Sequence, residues 1–238
     1  MFSTPPLYLP EWPTYRIIPS HYPPIDLFER IYEPDEFELA FEIESMTNPR
    51  LRDEAGDIHL VQPCDRISGP GSSPVMASFT HLGFGSRFAD RHFGVYYAAS
   101  SLEGAIRETV FHKEREMAAA NEDSIALTMR AYIGSVVMTM HDIRGTEFNN
   151  LHNPDADDYA LSQKFASRWR KKGSNGLVYN SVRHPGGECI AAFKPKAVSI
   201  PVQGPHLKYF WDGDKRCITH WAEIGEAHSL TGKVGVNE

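Results

Sequence analysis

The sequence predicts an α+β domain built on a curved, mostly antiparallel sheet with flanking helices. Segments of strand-forming residues and amphipathic helical segments both occur, but they do not alternate regularly as they do in a parallel βαβ fold. The turn HPGG at 184–187 separates two strand-like segments, which favours a β-hairpin. With 238 residues, the chain is long enough to bury a substantial core.

Composition excludes several classes of function. Hydrophobic residues make up 41% and charged residues 23%, as in ordinary globular proteins. A formal net charge of −7 argues against a protein that mainly holds duplex nucleic acid through its phosphates. No apolar run approaches the roughly 18 residues of a membrane span, and residues 1–13 lack the basic flank and the apolar core that are typical of a signal peptide. Since Cys64, Cys189 and Cys217 are widely spaced, we expect a cytoplasmic protein without disulfides.

The 11 histidines also bear on the function, because neither an HxxxH nor an HExxH pair occurs among them. Zinc sites are commonly built from such closely spaced pairs. The sequence therefore predicts no metal site.

The first 59 residues are expected to form an N-terminal arm and a helical extension. Residues 1–26 contain seven prolines and show no apolar periodicity, so an extended arm laid over the surface is predicted. Apolar positions then predict helices over 26–40 and 41–46, with an interruption at Pro34. We expect residues 60–200 to form the main domain and 201–238 to form a tail that packs on it.

Residues 61–112 contain the most informative patterns. A strand is predicted over 61–67, with Arg66 at its end. The glycines at 69, 71, 83 and 85 do not satisfy GxGxxG, which excludes a dinucleotide fingerprint and favours sharp bends. A second strand is predicted over 94–99. Ser100 then opens a helix, with Glu103 completing a capping box. Glu108 lies off the apolar face of this helix.

The second half of the chain predicts further strands and one helix. Residues 124–143 alternate as one or two strands, and 144–154 read as a loop. Asp155 or Asp157 is expected to cap a helix that runs to about Lys172 and stops at Gly173. Two strands at 176–183 and 188–193 form the hairpin, which places Ser181 near its open end. A last edge strand is expected after Gln203.

Five sequence blocks carry a resemblance to a known family when they are read together. They are Arg66, GSRF (85–88), GVYYAAS (94–100), AIRETVFH (105–112) and VYNSVRHPGGECIAAF (178–193). In order and spacing they resemble the RES domain, the toxin half of bacterial RES–Xre toxin–antitoxin pairs. The resemblance makes 60–200 a RES catalytic domain. It implies a fold similar to that of the diphtheria-toxin-like ADP-ribosyltransferases.

The resemblance also implies an activity and the residues that carry it. NAD would be the substrate, and a glycohydrolase or phosphorylase would cleave its nicotinamide–ribose bond without a metal. Arg66 and Arg87 would grip the pyrophosphate, and Tyr97 would stack on the nicotinamide. Glu108 would stabilise positive charge at the ribose. Ser181 would bind and orient the cofactor. Catalysis itself is assigned to Glu108, Arg87 and Ser181.

Two adjacent residues, Tyr96 and Tyr97, could supply the tyrosine of the site. Neighbouring strand side chains face opposite ways, so only one of Tyr96 and Tyr97 can face the site. Tyr97 is preferred because it precedes Glu108 by eleven residues, as in the family.

Other functions and partners remain open at this point. The same pocket would serve a protein ADP-ribosyltransferase. A toxin that targets nucleic acid would use the basic residues Arg168, Arg170, Lys171 and Lys172, although such residues also suit the end of a helix. An inert binding module is a third alternative. A cognate Xre-type antitoxin is the expected partner, with nucleic acid reached only through it. A homodimer is left open.

Overall fold

The structure is a computed structural model, and it describes residues 2–20, 56–83 and 85–225. Its strands are β1 Leu7–Tyr8, β2 Thr14–Pro19, β3 Tyr96–Ala99, β4 Ile125–Gly134, β5 Met140–Asp142, β6 Gly176–Asn180, β7 Glu188–Ala192, β8 Val202–Asp212 and β9 Cys217–Ile224. Its α-helices are α1 Ser73–Thr80, α2 Leu102–Ala120 and α3 Ala160–Lys171. Short 3-10 helices occur at Ile58–Leu60, Pro63–Asp65, Thr146–Leu151 and Pro195–Ala197. The helices predicted over 26–40 and 41–46 lie outside the described residues.

The described strands form a single sheet in the order β1-β5-β6-β7-β3-β2-β4-β8-β9. Every neighbouring pair is antiparallel except β5 and β6, which run parallel. The predicted α+β class with a mostly antiparallel sheet is confirmed.

The N-terminal segment departs from the prediction of a surface arm. Strand β2 lies inside the sheet, between β3 and β4, and pairs with β4 over its whole length. Strands from both sides of the expected boundaries at 59/60 and 200/201 therefore belong to one sheet. The prolines do not prevent this strand because most of them lie outside β2. Only Pro19 belongs to it, at its last position, where a missing N–H costs little.

The predicted hairpin is confirmed. Strands β6 and β7 pair antiparallel from Gly176↔Ala192 to Asn180↔Glu188, so Ser181 follows the last paired residue. The region predicted as one or two strands over 124–143 contains β4 and β5. From Val202 onward the chain forms two strands, β8 and β9, and β9 lies at the edge of the sheet.

Two predicted helix starts are wrong by a few residues. Ser101, not Ser100, caps α2, and its Oγ accepts a bond from the N–H of Gly104 (3.1 Å). That N3 position is a glycine, so no reciprocal side-chain bond forms, and Glu103 instead pairs with Arg107. Helix α3 begins after Tyr159 without a side-chain cap.

The strand predicted over 61–67 is also wrong. The chain there forms a 3-10 turn that begins with Pro63, followed by extended backbone at Arg66. Proline removes a donor from any ladder, which favours the turn. Gly69 and Gly71 both have positive φ, as the prediction of sharp bends requires, and lead into α1, a helix that the sequence analysis missed.

The core lies on both faces of the sheet. Alternate residues of β6 and β7 enter two clusters: Leu177 and Ala191 join the cluster beneath α2 and α3, while Val178 and Ile190 join the cluster beneath α1. This alternation places neighbouring residues of a strand in opposite layers. Among the described residues, no helix is long and apolar enough to cross a membrane.

Candidate active site

A cavity of about 230 Å³ lies between the start of α2, the middle of the sheet and the loop before β3. Three of the five residues that the sequence analysis singled out line it: Arg87, Tyr97 and Glu108. The other lining residues are Tyr15, Arg16, Ile17, Ser86, Ala98, Ala99, Ala105, Thr109, His112, Tyr159, Tyr179 and Cys189. The loop before β3, β3 itself and α2 therefore bring a guanidinium, an aromatic ring and a carboxylate to one cavity.

Glu108 is held by the serine that follows β6. The hydroxyl of Ser181 donates to Glu108 Oε1 at 2.6 Å, across 73 residues of sequence. A bond this short is typical of a hydroxyl donating to a charged carboxylate. The bond fixes the rotamer of Glu108 at the cavity wall.

Ser181 is itself held by its local turn. It is 9% exposed, and its Oγ accepts bonds from the N–H groups of Arg183 (3.2 Å) and His184 (3.0 Å). Its own N–H donates to the carbonyl of Gly187 (2.9 Å). The single hydroxyl hydrogen of Ser181 goes to Glu108, so the serine supports the carboxylate in this arrangement. Ser181 is not among the residues that line the cavity, and its contact with the cofactor stays a prediction.

Arg87 is buried, with 7% of its surface exposed, and its charge is not neutralised by a carboxylate within the described residues. Its Nη1 donates to the carbonyl of Asn153 at 2.6 Å, and the guanidinium lies 4.6 Å from the centre of the Tyr159 ring. Neutral oxygens and an aromatic face orient the group but leave its positive charge available. An anion that enters the cavity would meet this charge in a site of low dielectric constant.

Tyr97 faces the cavity and Tyr96 does not, since Tyr96 belongs to the opposite core cluster. The hydroxyl of Tyr97 lies 2.8 Å from Ser86 Oγ and accepts the N–H of Phe88 at 3.0 Å. Burial raises the pKa of Tyr97 to about 12, so the phenol stays neutral. The ring thus lines the cavity while its hydroxyl holds the loop that carries Arg87.

Arg66 lies outside this group. It is 2% exposed, its Nε donates to the carbonyl of Val61 at 3.1 Å, and it is not among the residues that line the cavity. Its assignment to the pyrophosphate stays a prediction, because nothing in this arrangement brings its side chain to the site.

Several cavity residues carried no sequence signal that marked them. Tyr159 lies directly before α3 and Tyr179 lies in β6, and only the tertiary fold turns them to the cavity. Cys189 is a buried thiol whose pKa is raised strongly by burial and by the negative charge of Glu108, so it stays protonated and is a poor nucleophile. His112 lines the cavity one helical turn after Glu108, but it remains exposed.

The four basic residues at the end of α3 lie outside the cavity, and two of them contact aromatic rings. Arg170 stacks on Phe93 at 4.7 Å and Lys172 lies 4.8 Å from the ring centre of Trp169. Arg168, Lys171 and Lys172 line a groove along α3 that is separate from the cavity. Within the described ranges, no three His, Cys, Asp or Glu side chains are placed to hold a metal ion.

Comparisons with known proteins give three findings. A sequence model of the RES domain matches residues 63–212. The uncharacterized protein y4oC of Sinorhizobium fredii (strain NBRC 101917 / NGR234) is 26% identical over 209 residues, which cover 84% of each chain. A chain in the crystal structure of the M. tuberculosis MbcT–MbcA toxin–antitoxin complex aligns with a TM-score of 0.44 at 10% identity, over 88% of this chain and 89% of that chain.

Proposed function

Since this chain belongs to the RES domain family, we propose that it is an enzyme that consumes NAD by cleaving the nicotinamide–ribose bond and that it serves as the toxin of a toxin–antitoxin pair. The observation that carries the proposal is the bond between Ser181 and Glu108 at the wall of a cavity that Arg87 and Tyr97 also line. These groups match what NAD presents: an anionic pyrophosphate, a flat cationic ring and a ribose that develops positive charge.

Arg87 would hold the pyrophosphate. A guanidinium stays charged at every physiological pH and grips phosphate oxygens through two N–H groups at once. Because Arg87 is already oriented by Asn153 and Tyr159, little side-chain entropy is lost when an anion binds. The Tyr97 ring would support the nicotinamide by stacking, which also positions the leaving group.

Glu108 would act on the transition state. As the nicotinamide departs, positive charge develops on the ribose, and a fixed carboxylate stabilises this charge without having to reorganise. Ser181 would keep the carboxylate oriented between turnovers, since its hydroxyl donates to Oε1. Glycosidases gain several kcal/mol from comparable carboxylate and hydroxyl contacts.

The acceptor of the ADP-ribosyl group is water or phosphate in this proposal. The alternative is a protein side chain, since the same cavity would serve a protein ADP-ribosyltransferase. Incubating the purified protein with NAD, with and without phosphate, distinguishes the three acceptors. Free ADP-ribose indicates water, ADP-ribose 1-phosphate indicates phosphate, and label on protein indicates transfer.

A matched pair of variants on α2 tests the role of Glu108. Glu108→Gln is isosteric and keeps an oxygen for Ser181, so we expect it to abolish nicotinamide release while the unfolding temperature changes little. Glu103→Gln, at an exposed position on the same helix, should release nicotinamide at the wild-type rate. Wild-type activity in Glu108→Gln would refute the mechanism.

A toxin of this kind requires an antitoxin partner and should affect the growth of the cell that makes it. An unrestrained consumer of NAD would harm its own cell, so we propose a cognate Xre-type antitoxin. Inducing the chain alone in bacteria should lower NAD and stop growth, and co-expression of the protein encoded next to it should restore both. RNA cleavage with unchanged NAD would instead favour the alternative toxin.

A further inference from the structure

The loop that carries Arg87 is a tight four-residue turn. The N–H of Ser86 donates to the carbonyl of Ala89 (2.8 Å), and the N–H of Ala89 donates back to the carbonyl of Ser86 (3.3 Å). Arg87 and Phe88 are the two central residues. Apart from this bridge between Ser86 and Ala89, residues 85–95 form no helix or strand. Its conformation must therefore be set by contacts from other elements.

Gln163, in the first turn of α3, supplies the most specific of these contacts. Its Nε2 donates to the carbonyl of Ser86 at 2.9 Å and to the carbonyl of Ala89 at 3.2 Å. One side-chain amide has two hydrogens, so a single group binds both carbonyls of the turn. Each carbonyl then accepts two bonds, one from within the turn and one from Gln163.

The same part of the chain also holds the other end of Arg87. The guanidinium is bound by Asn153 and Tyr159, which lie just before α3. Gln163 in α3 thus holds the backbone turn that carries Arg87, and the segment before α3 holds its side chain. A side chain at Gly85 would meet Gln163, since a Cβ there would lie 3.2 Å from Nε2.

We propose that Gln163 is a positioning residue for Arg87. Its amide fixes the 86–89 turn, so that the guanidinium stays aimed at the cavity where the anionic part of a dinucleotide binds. This inference rests on the proposed function, because it concerns how the substrate's phosphates are held. Gln163 itself does not line that cavity, so it acts through Arg87 and not on the substrate.

Three substitutions of Gln163 distinguish the effect of its N–H donors from the effect of its side-chain volume. Gln163→Met has a similar shape but no N–H. Gln163→Glu places an acceptor against two carbonyls. Gln163→Lys keeps N–H donors on a flexible chain that can reach both oxygens.

We expect Gln163→Met to raise the KM for NAD roughly tenfold, with kcat within about threefold of the wild type, because ground-state and transition-state binding weaken together. Gln163→Glu should raise the KM for NAD more than Gln163→Met does. Gln163→Lys should keep the KM within about threefold of the wild-type value. Lys164→Met is the matched control. Lys164 is exposed on the adjacent position of α3, and its substitution should leave KM unchanged.

Hydrogen exchange without NAD gives a readout that does not depend on activity. The amides of residues 86–89 should exchange faster in Gln163→Met than in the wild type, and at the wild-type rate in Gln163→Lys. If KM and exchange are both unchanged in Gln163→Met, or if Gln163→Lys behaves like Gln163→Met, the inference is wrong. If the wild type does not consume NAD, the proposed function fails, and exchange alone decides whether Gln163 fixes the turn.

Discussion

Replacing Ser181 by alanine should reduce NAD cleavage more than its effect on stability would explain. The substitution removes a 2.6 Å bond to Glu108 and the acceptor for two backbone N–H groups. A hydrogen bond to a charged group contributes about 1.5–3 kcal/mol. Glu108 is partly exposed and water can replace some of that bond, so we expect the lower half of this range. At about 1.4 kcal/mol for each factor of ten, kcat/KM should fall roughly 10- to 40-fold.

The assay is the rate of nicotinamide release at several NAD concentrations, read beside the thermal unfolding midpoint. Ser101→Ala is the control, because it removes the N-cap of α2 without touching the carboxylate. It should cost about 1 kcal/mol of stability but leave the rate unchanged. If both variants lose activity in proportion to stability, or if Ser181→Ala is fully active, the assigned support of Glu108 is refuted.

Two further predictions concern stability. The pKa of His152 is lowered to about 4, first by burial and then by the charge of Arg87, so the folded state resists a proton that the unfolded state accepts near pH 6.5. Stability should therefore be intact above pH 6.5 and decline as the pH falls from 6.5 to 4, and His152→Asn should flatten this decline in unfolding midpoints measured across that range. Gly94→Ala would place a Cβ 2.2 Å from the carbonyl oxygen of Ser78, so it should destabilise the fold by about 2–3 kcal/mol. Gly83→Ala, where a Cβ meets nothing within 4 Å, is the control for that denaturation measurement, and equal midpoints would contradict the expected clash.

Local sequence patterns predicted the elements that depend on neighbouring residues. The β6–β7 hairpin follows from two strand-forming segments around HPGG, and the stop of α3 follows from Gly173, which has a φ of +86°. The starts of α2 and α3 were less accurate. Adjacent serines offer equivalent caps, and only the geometry of the entering chain selects Ser101.

The position of β2 could not be read from its own residues. A proline-rich segment with two short strands is compatible with a surface arm. The place of β2 between β3 and β4 depends on pairing with residues about 80 and 115 positions further along the chain. The position of the Arg66 side chain could not be predicted from the local sequence either. Its residue type suits a phosphate, but its contact with Val61 is decided by the 3-10 turn at Pro63.

The α+β class could be predicted from the amino-acid sequence because it depends on local periodicity. The RES family, and with it the residue types of the candidate site, could be predicted because five motifs occur in the family's order and spacing. Which of these residues meet could be learned only from the fold. It turned Tyr97 and not Tyr96 to the cavity, committed the Ser181 hydroxyl to Glu108, and added Tyr159 and Gln163 around Arg87. The physical reason is that a contact between residues 70 or more positions apart depends on strand order and helix docking, and these are set by the burial of the whole core and not by any local pattern.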